Sequence, residues 1–111
     1  MHLNNSDEVL NEIKRRILAA CDPSQIILFG SRAKGTARPD SDFDLLIVEE
    51  GVEAPRRESV RLRAALRGLC VPVDVVVATP QQIERYRDAI GMIYGPIVRE
   101  GKIIYERPGN T

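Results

Sequence analysis

The fold is decided by residues 25–48, which read QIILFGSRAKGTARPDSDFDLLIV. The first five, Gln25–Phe29, form a short apolar run rich in β-branched residues, and this pattern predicts a buried strand. Phe43–Val48 is a second apolar run and predicts a second strand. Residues 30–41 between them are rich in Gly, Ser, Thr and Pro, which predicts a loop. The stretch therefore predicts two strands joined by a long polar connection.

Helical and strand patterns alternate along the rest of the chain. Four helices are predicted: one after an N-cap at Asn5, one over residues 56–69, one after an N-cap at Thr79 and one over residues 92–99. Two further strands are predicted at residues 71–77 and Lys102–Glu106. The predicted inward-facing residues are Val9, Leu10, Ile13, Ile17 and Ala20, then Val60, Leu62, Leu66 and Leu69, then Ile83, Tyr86 and Ile90. This order predicts an α/β (α+β) fold with one mixed sheet flanked by helices, in a single domain spanning residues 1–111.

Composition excludes several classes of function. The 111 residues are 43% hydrophobic and 29% charged, and no apolar run approaches the ~18 residues that span a bilayer. The N-terminus is polar and lacks the hydrophobic region of a signal peptide, so we expect a cytoplasmic protein. His2 is the sole histidine, which argues against a histidine-based triad or zinc site. Two isolated cysteines, Cys21 and Cys70, predict free thiols that pack as small hydrophobes. The chemistry must therefore rest on carboxylates, hydroxyls and cations.

A Gly-Ser pair directly follows the first predicted strand. Gly30 allows a ligand to approach the backbone closely because it has no Cβ, and Ser31 with the following N–H groups can donate to phosphate oxygens. Arg32, Lys34 and Arg38 add positive charge nearby. A plain surface turn is the alternative interpretation.

Carboxylates open the second predicted strand and interrupt the third. Asp42 and Asp44 are two residues apart, so they point to the same side, and such a pair suits a hard divalent cation. Alone, this pair is also typical of a solvated strand entry. Asp74 interrupts the run Val71 to Val77, where an unpaired buried carboxylate would cost several kcal/mol. It is therefore expected at a ligand-bearing edge, in a salt bridge or at a metal, and the Asp42/Asp44 pair favours the metal.

Together these residues carry a family resemblance. Residues 30–46, GSRAKGTARPDSDFDLL, resemble the signature of the DNA polymerase β superfamily of nucleotidyltransferases. Within it the chain is most similar to the minimal nucleotidyltransferases of bacteria and archaea. Residues 73–76, VDVV, resemble the strand that carries the family's third carboxylate, and residues 99–106, REGKIIYE, resemble the end of such proteins. The likeness covers nearly the whole chain.

The resemblance implies a nucleotidyltransferase fold and a set of site residues. Asp42, Asp44 and Asp74 are implied as catalytic residues that hold two Mg²⁺ ions, while Gly30, Ser31 and Arg32 would bind the phosphates of a nucleoside triphosphate, expected to be ATP. The implied reaction is in-line attack of an acceptor hydroxyl on the α-phosphorus, with release of pyrophosphate.

The resemblance also implies a protein partner. Minimal nucleotidyltransferases are typically paired with a helical HEPN-type toxin and act as antitoxins that attach AMP to a tyrosine of that toxin. We expect the acceptor to come from another molecule, because the catalytic core takes up almost all of this sequence. Neither direct nucleic-acid binding nor membrane association is expected.

Two other functions stay open at this stage. One is an antitoxin that neutralises its partner by occlusion without catalysis, and the other is a small-molecule nucleotidyltransferase of the aminoglycoside-modifying type. Five arginines between Pro55 and Arg67 predict either the solvated face of an amphipathic helix or a docking surface, with Arg56, Arg61 and Arg63 as candidates for the latter. The sequence does not predict the nucleotide base preference or the oligomeric state.

Overall fold

The computed structural model describes residues 6–38, 41–69, 71–89 and 94–109. Its elements, in chain order, are α1 (Ser6–Ala20), β1 (Gln25–Phe29), α2 (Ser31–Lys34), β2 (Phe43–Val48), α3 (Pro55–Ala65), β3 (Val73–Ala78), α4 (Pro80–Tyr86), α5 (Tyr94–Glu100) and β4 (Lys102–Glu106). None of the helices in the described ranges is long and apolar enough to cross a membrane.

The strands form one four-stranded sheet in the order β3-β2-β1-β4. Strand β1 is antiparallel to both β2 and β4, whereas β2 and β3 are parallel. Two parallel neighbours cannot be joined by a tight hairpin, so α3 provides the crossover between them. The mixed sheet flanked by helices confirms the predicted α+β fold class.

The core lies mainly on the sheet face that α1 and α3 cover. Residues from both helices and from alternate strand positions form this cluster, among them Ile13, Ile17, Ile26, Leu45, Ile47, Leu62 and Val75. Burial of each such side chain contributes about 1.5–3 kcal/mol. A smaller cluster on the opposite face joins α5 to the sheet through Ile97, Ile27 and Leu46. Because side chains alternate across a strand, Asp44 and Asp74 belong to this second face.

The bounds of the predicted elements agree with the structure where turn residues delimit an apolar run. Strands β1, β2 and β4 begin and end where the sequence predicts. The capping box of α4 is also confirmed, since Gln82 N donates to Thr79 Oγ1 over 3.1 Å and Thr79 N donates to Gln82 Oε1 over 3.0 Å. Some of the positions named in the predictions lie outside the described residues. They are His2, the N-cap Asn5, Cys70, the inward-facing Ile90 and the helix start Met92.

Several predicted bounds are wrong. The loop predicted over residues 30–41 contains the short helix α2. Helix α3 begins at Pro55 and ends at Ala65 rather than running over 56–69, because Pro55 stands in its first turn and the chain past Ala65 enters a turn with Gly68 at φ +91°. Strand β3 begins and ends later than the predicted 71–77, and α5, which the structure describes from Tyr94, ends at Glu100 rather than at residue 99.

Two predicted core residues are on the surface. Val60 is 63% exposed because α3 buries the face that carries Leu62 and Leu66, which are four residues apart, and Val60 lies on the other side of the helix. Tyr86, at the end of α4, is 36% exposed. Leu69, by contrast, packs against the core beyond the helix end, as predicted.

Candidate functional site

The candidate site residues lie where β1 ends and where β2 and β3 begin. In the sheet register, Phe29 faces Asp44 across the β1–β2 pair, and Asp44 faces Asp74 across the β2–β3 pair. Adjacent strands are about 4.8 Å apart, so Gly30, Asp44 and Asp74 follow one another across three strands. Residues distant in sequence thus meet at one end of the sheet.

Gly30 is required by its conformation and by its neighbour. Its φ of 76° and ψ of −157° lie in a region that side chains disfavour. A Cβ at this position would overlap Asp44 Oδ2 and would lie 3.3 Å from Asp44 Cγ. The Gly30 carbonyl accepts from Ala33 N over 3.1 Å and from Lys34 N over 3.2 Å, which starts α2. The turn therefore lies against Asp44 and places Ser31 at the first residue of α2.

Arg32 connects α2 to the chain that leads into β2. Its Nε and Nη2 donate to the Ser41 carbonyl over 3.1 and 2.8 Å, and Nη1 donates to Ser6 Oγ over 3.1 Å. The guanidinium carbon lies 3.9 Å from the centre of the Phe43 ring, in cation–π contact. These contacts indicate that Arg32 positions the chain beside Asp42. A direct role of Arg32 in nucleotide binding stays a prediction.

The three aspartates place negative charge at one end of the sheet. Burial raises the pKa of Asp44, and the charges of Asp74 and then Asp42 raise it further. Asp42 and Asp74 are both exposed, whereas Asp44 is only partly so. Burial first and the two neighbouring carboxylates second thus disfavour the charged form of Asp44.

An arginine of α3 contacts the third aspartate. Arg63 Nη2 donates to Asp74 Oδ1 over 2.8 Å and to the Val75 carbonyl over 3.2 Å. The side chains of Arg63 and Asp74 are 48% and 52% exposed, so the ion pair contributes at most about 1 kcal/mol. The salt bridge that the sequence leaves open for Asp74 is therefore present, and its Oδ2 atom is not engaged by Arg63. The sequence gives no signal for this contact, because the two residues lie in different elements.

The three aspartates do not close into a tight set of ligand atoms. Within the described ranges, the group with ligand atoms all within 4.8 Å of one another is Cys21, Glu49 and Glu58. Glu49 follows the far end of β2, about 16 Å along the strand from Asp44. Burial and the neighbouring Glu49 raise the pKa of Cys21 to about 12, so this half-buried cysteine is an unreactive thiol. The cluster is separate from the candidate site.

Comparison with known proteins assigns the family. A family model described as "Nucleotidyltransferase domain" matches residues 6–98. The chain belongs to this family. The match spans the Gly-Ser turn, all three aspartates and the elements that carry them.

One solved structure agrees on the fold of this nucleotidyltransferase domain, and a second has a weaker likeness. A candidate nucleotidyltransferase from Sulfolobus solfataricus has a TM-score of 0.65 at 21% identity, over 90% of this chain and 79% of that one. A structure described as a toxin-antitoxin with AMP-PNP has a TM-score of 0.49 at 20% identity, over 87% of this chain and 73% of that one. Likeness at these identities bears on the fold alone, and a TM-score below 0.5 does not establish even that. No curated protein matches the chain.

The donor set of this domain fits the ligands that the family typically uses, a nucleoside triphosphate and a divalent metal. Carboxylate oxygens are the preferred ligands of Mg²⁺. Asp42, Asp44 and Asp74 offer such oxygens at one end of the sheet, and the repulsion of Asp44 by the other two would be relieved by a cation. Beside them, Gly30 has no side chain, so the Asp44 carboxylate lies directly against its backbone in the space that a Cβ would take.

Proposed function

We propose that this chain is a Mg²⁺-dependent nucleotidyltransferase that moves AMP from ATP to a hydroxyl of a partner protein. The acceptor is a tyrosine of a helical HEPN-type toxin, and the transfer makes this chain an antitoxin. The observation that carries the proposal is the row of Gly30, Asp44 and Asp74 across three adjacent strands. The toxin partner and the choice of AMP rest on the resemblance of residues 30–46 to minimal nucleotidyltransferases.

The residues of this row and their neighbours each have a role in the proposed reaction. Asp42 and Asp44, with Asp74, would hold two Mg²⁺ ions, which would supply charge stabilisation to the reacting oxygens. The Gly30 turn admits phosphate oxygens close to the backbone, and Ser31 donates to them through its hydroxyl. Asp74 Oδ2 accepts a hydrogen bond from the acceptor hydroxyl, while Arg63 holds Oδ1 and fixes the carboxylate orientation.

Transfer is tested by mass. The chain is incubated with Mg²⁺, ATP and its partner, which is to be sought as a small helical protein encoded by a neighbouring gene. Intact-mass measurement should show one AMP added to the partner, and fragmentation should place it on a tyrosine. Omission of Mg²⁺ is the control. If the partner is neutralised with no adduct under any nucleotide, occlusion is the correct mechanism and the transfer is wrong.

Asp74→Asn should separate ligand binding from stability. Mg²⁺ with a non-hydrolysable ATP analogue should raise the melting temperature of the wild-type chain, and the variant should lose most of that rise. In the metal-free state, the free energy of unfolding should change by less than about 1 kcal/mol, because the Arg63–Asp74 pair is half exposed.

A matched control for this measurement is Asp22→Asn. Asp22 is 80% exposed, pairs with Arg107 over 3.4 Å and lies before β1, at the other end of the sheet. The Asp22→Asn variant loses a comparable ion pair but should keep the full rise in melting temperature with Mg²⁺ and nucleotide. A metal-free loss of stability in Asp74→Asn well above that of Asp22→Asn would make Asp74 a structural residue instead.

A further inference from the structure

A cleft lies beside the candidate site at the β3 edge of the sheet. It has a volume of about 390 Å³ and is bounded by α3 on one side and by residues of α4 and α5 on the other. Arg56 and Arg63 line it from α3, and Val76, Gln82 and Tyr94 line it from the sheet and the other helices. None of the tasks described above uses Arg56, Gln82 or Tyr94.

The cleft adjoins the carboxylates on the side away from the phosphate turn. Arg63 lines the cleft and also donates to Asp74 Oδ1 over 2.8 Å, so Asp74, which does not itself line the cleft, lies next to it across Arg63. The strand order places β1, which ends at Gly30, on the opposite side of Asp44 from β3. In phosphoryl and nucleotidyl transfer, the attacking and leaving oxygens approach the phosphorus from opposite sides. If Gly30 lies on the triphosphate side, the cleft is on the acceptor side.

The charge of the cleft is positive and in part unpaired. No acidic side chain is among the residues that line it. Arg63 is paired with Asp74, whereas Arg56 makes no ion pair with any part of the chain that the structure describes. Arg57, the next residue, lies on the other flank of α3 with Glu50 and Glu53. Arg56 is thus the cleft cation that is available to a ligand.

We infer that this cleft docks an acidic polypeptide segment that presents the acceptor hydroxyl to Asp74. An aspartate or glutamate near the acceptor residue pairs with Arg56, and apolar atoms of the same segment pack on Val76 and Tyr94. The inference rests on the proposed function and names the chemistry of its substrate. It is a statement about specificity: acidic neighbours should distinguish the hydroxyl that receives the nucleotide from other hydroxyls.

A polypeptide fits this cleft better than a nucleic acid. Nucleic-acid affinity comes from many simultaneous phosphate contacts, and the chain has equal numbers of basic and acidic residues, 16 of each. Of the two arginines in the cleft, one already has a carboxylate partner. The aliphatic Val76 side chain gives a polypeptide apolar contact that a phosphate backbone does not use.

The test uses two peptides and a matched pair of variants. One peptide has a tyrosine flanked by glutamates and the other a tyrosine flanked by lysines, and transfer from α-labelled ATP is measured as kcat/KM. The wild-type chain should prefer the acidic peptide by about tenfold or more, as expected when like charges oppose the other peptide. Arg56→Glu should reverse this preference, whereas Arg57→Glu, the same charge change on the other flank of α3, should retain it.

Nucleotide affinity, measured by calorimetry with a non-hydrolysable ATP analogue, distinguishes a failure of the docking inference from a failure of the proposed function. Three outcomes with a bound analogue would make the docking inference wrong and leave the proposed function standing. They are that neither peptide is modified, that the wild-type chain shows no preference for the acidic peptide, or that both variants change this preference equally. If a single-stranded RNA is modified instead and Arg56→Glu weakens that transfer, the cleft binds nucleic acid and the inference is again wrong. If no nucleotide binds, the proposed function fails and the inference fails with it.

Discussion

Gly30→Ala should abolish nucleotide binding and destabilise the fold, while Gly35→Ala should do neither to a comparable degree. Both glycines have a φ of 76°, but Gly35, with a ψ of 14°, is in the left-handed α region, where alanine costs about 1–2 kcal/mol. Gly30, with a ψ of −157°, is in a region that is nearly restricted to glycine, so alanine costs more there. Only at Gly30 would the new Cβ meet another residue, because it would overlap Asp44 Oδ2, whereas nothing lies within 4 Å of a Cβ at Gly35. The overlap should bring the total loss at Gly30 to about 3 kcal/mol or more.

Urea unfolding and calorimetry with the ATP analogue measure the two effects separately. Gly35→Ala should keep nucleotide affinity within a few-fold of the wild type, since Gly35 ends α2 away from the Gly30–Asp44 contact. An equal loss of stability in the two variants would contradict both the additional backbone strain at Gly30 and the overlap of its new Cβ with Asp44. Retained nucleotide affinity in a folded Gly30→Ala would contradict the assignment of this turn to the phosphates.

The strands could be predicted from the sequence because their information is local. The bounds of β1 and β2 agree with the structure since an apolar run followed by Gly30, or preceded by Asp42, already marks the ends of a buried strand. The same reasoning failed for α3, where the apolar pattern continues to Leu69 although the helix ends at Ala65. Leu66 and Leu69 remain packed on the core without helical conformation, so the hydrophobic pattern predicted burial but not the helix end.

The geometry of the candidate site was predictable only in part. Residue parity places Asp42 and Asp44 on one side of the chain, but no local pattern specifies that Asp74 faces Asp44. That register depends on the parallel pairing of β2 with β3 and on the crossover through α3. The crossover also brings Arg63 to Asp74, a contact between residues eleven apart in sequence. Contacts created by a crossover depend on tertiary packing, so local sequence patterns do not predict them.

Asp44→Asn should remove transfer without removing stability. With the partner, ATP and Mg²⁺, Asp44→Asn and Asp42→Asn should each reduce AMP transfer by roughly 100-fold or more, because each removes a ligand of ions whose charge stabilisation amounts to several kcal/mol. The folded state binds the Asp44 proton more tightly than the unfolded state, since burial and then Asp74 and Asp42 raise its pKa above 3.8. The contribution of Asp44 to the unfolding free energy of the metal-free wild type therefore falls as pH rises from 3.8 through the folded pKa.

The amide of Asp44→Asn has no such titration, so the metal-free variant should be at least as stable as the wild type at neutral pH. A chemical-denaturation series from acid to neutral pH measures this difference, which should shrink at the acid end. Both variants should still bind the partner, because docking depends on surfaces such as the cleft beside Arg56 rather than on the metal ligands. In cells, loss of protection against the partner in variants that still bind it would establish catalysis as the antitoxin activity. Full protection by both variants would instead show that occlusion suffices and that the three aspartates serve another purpose.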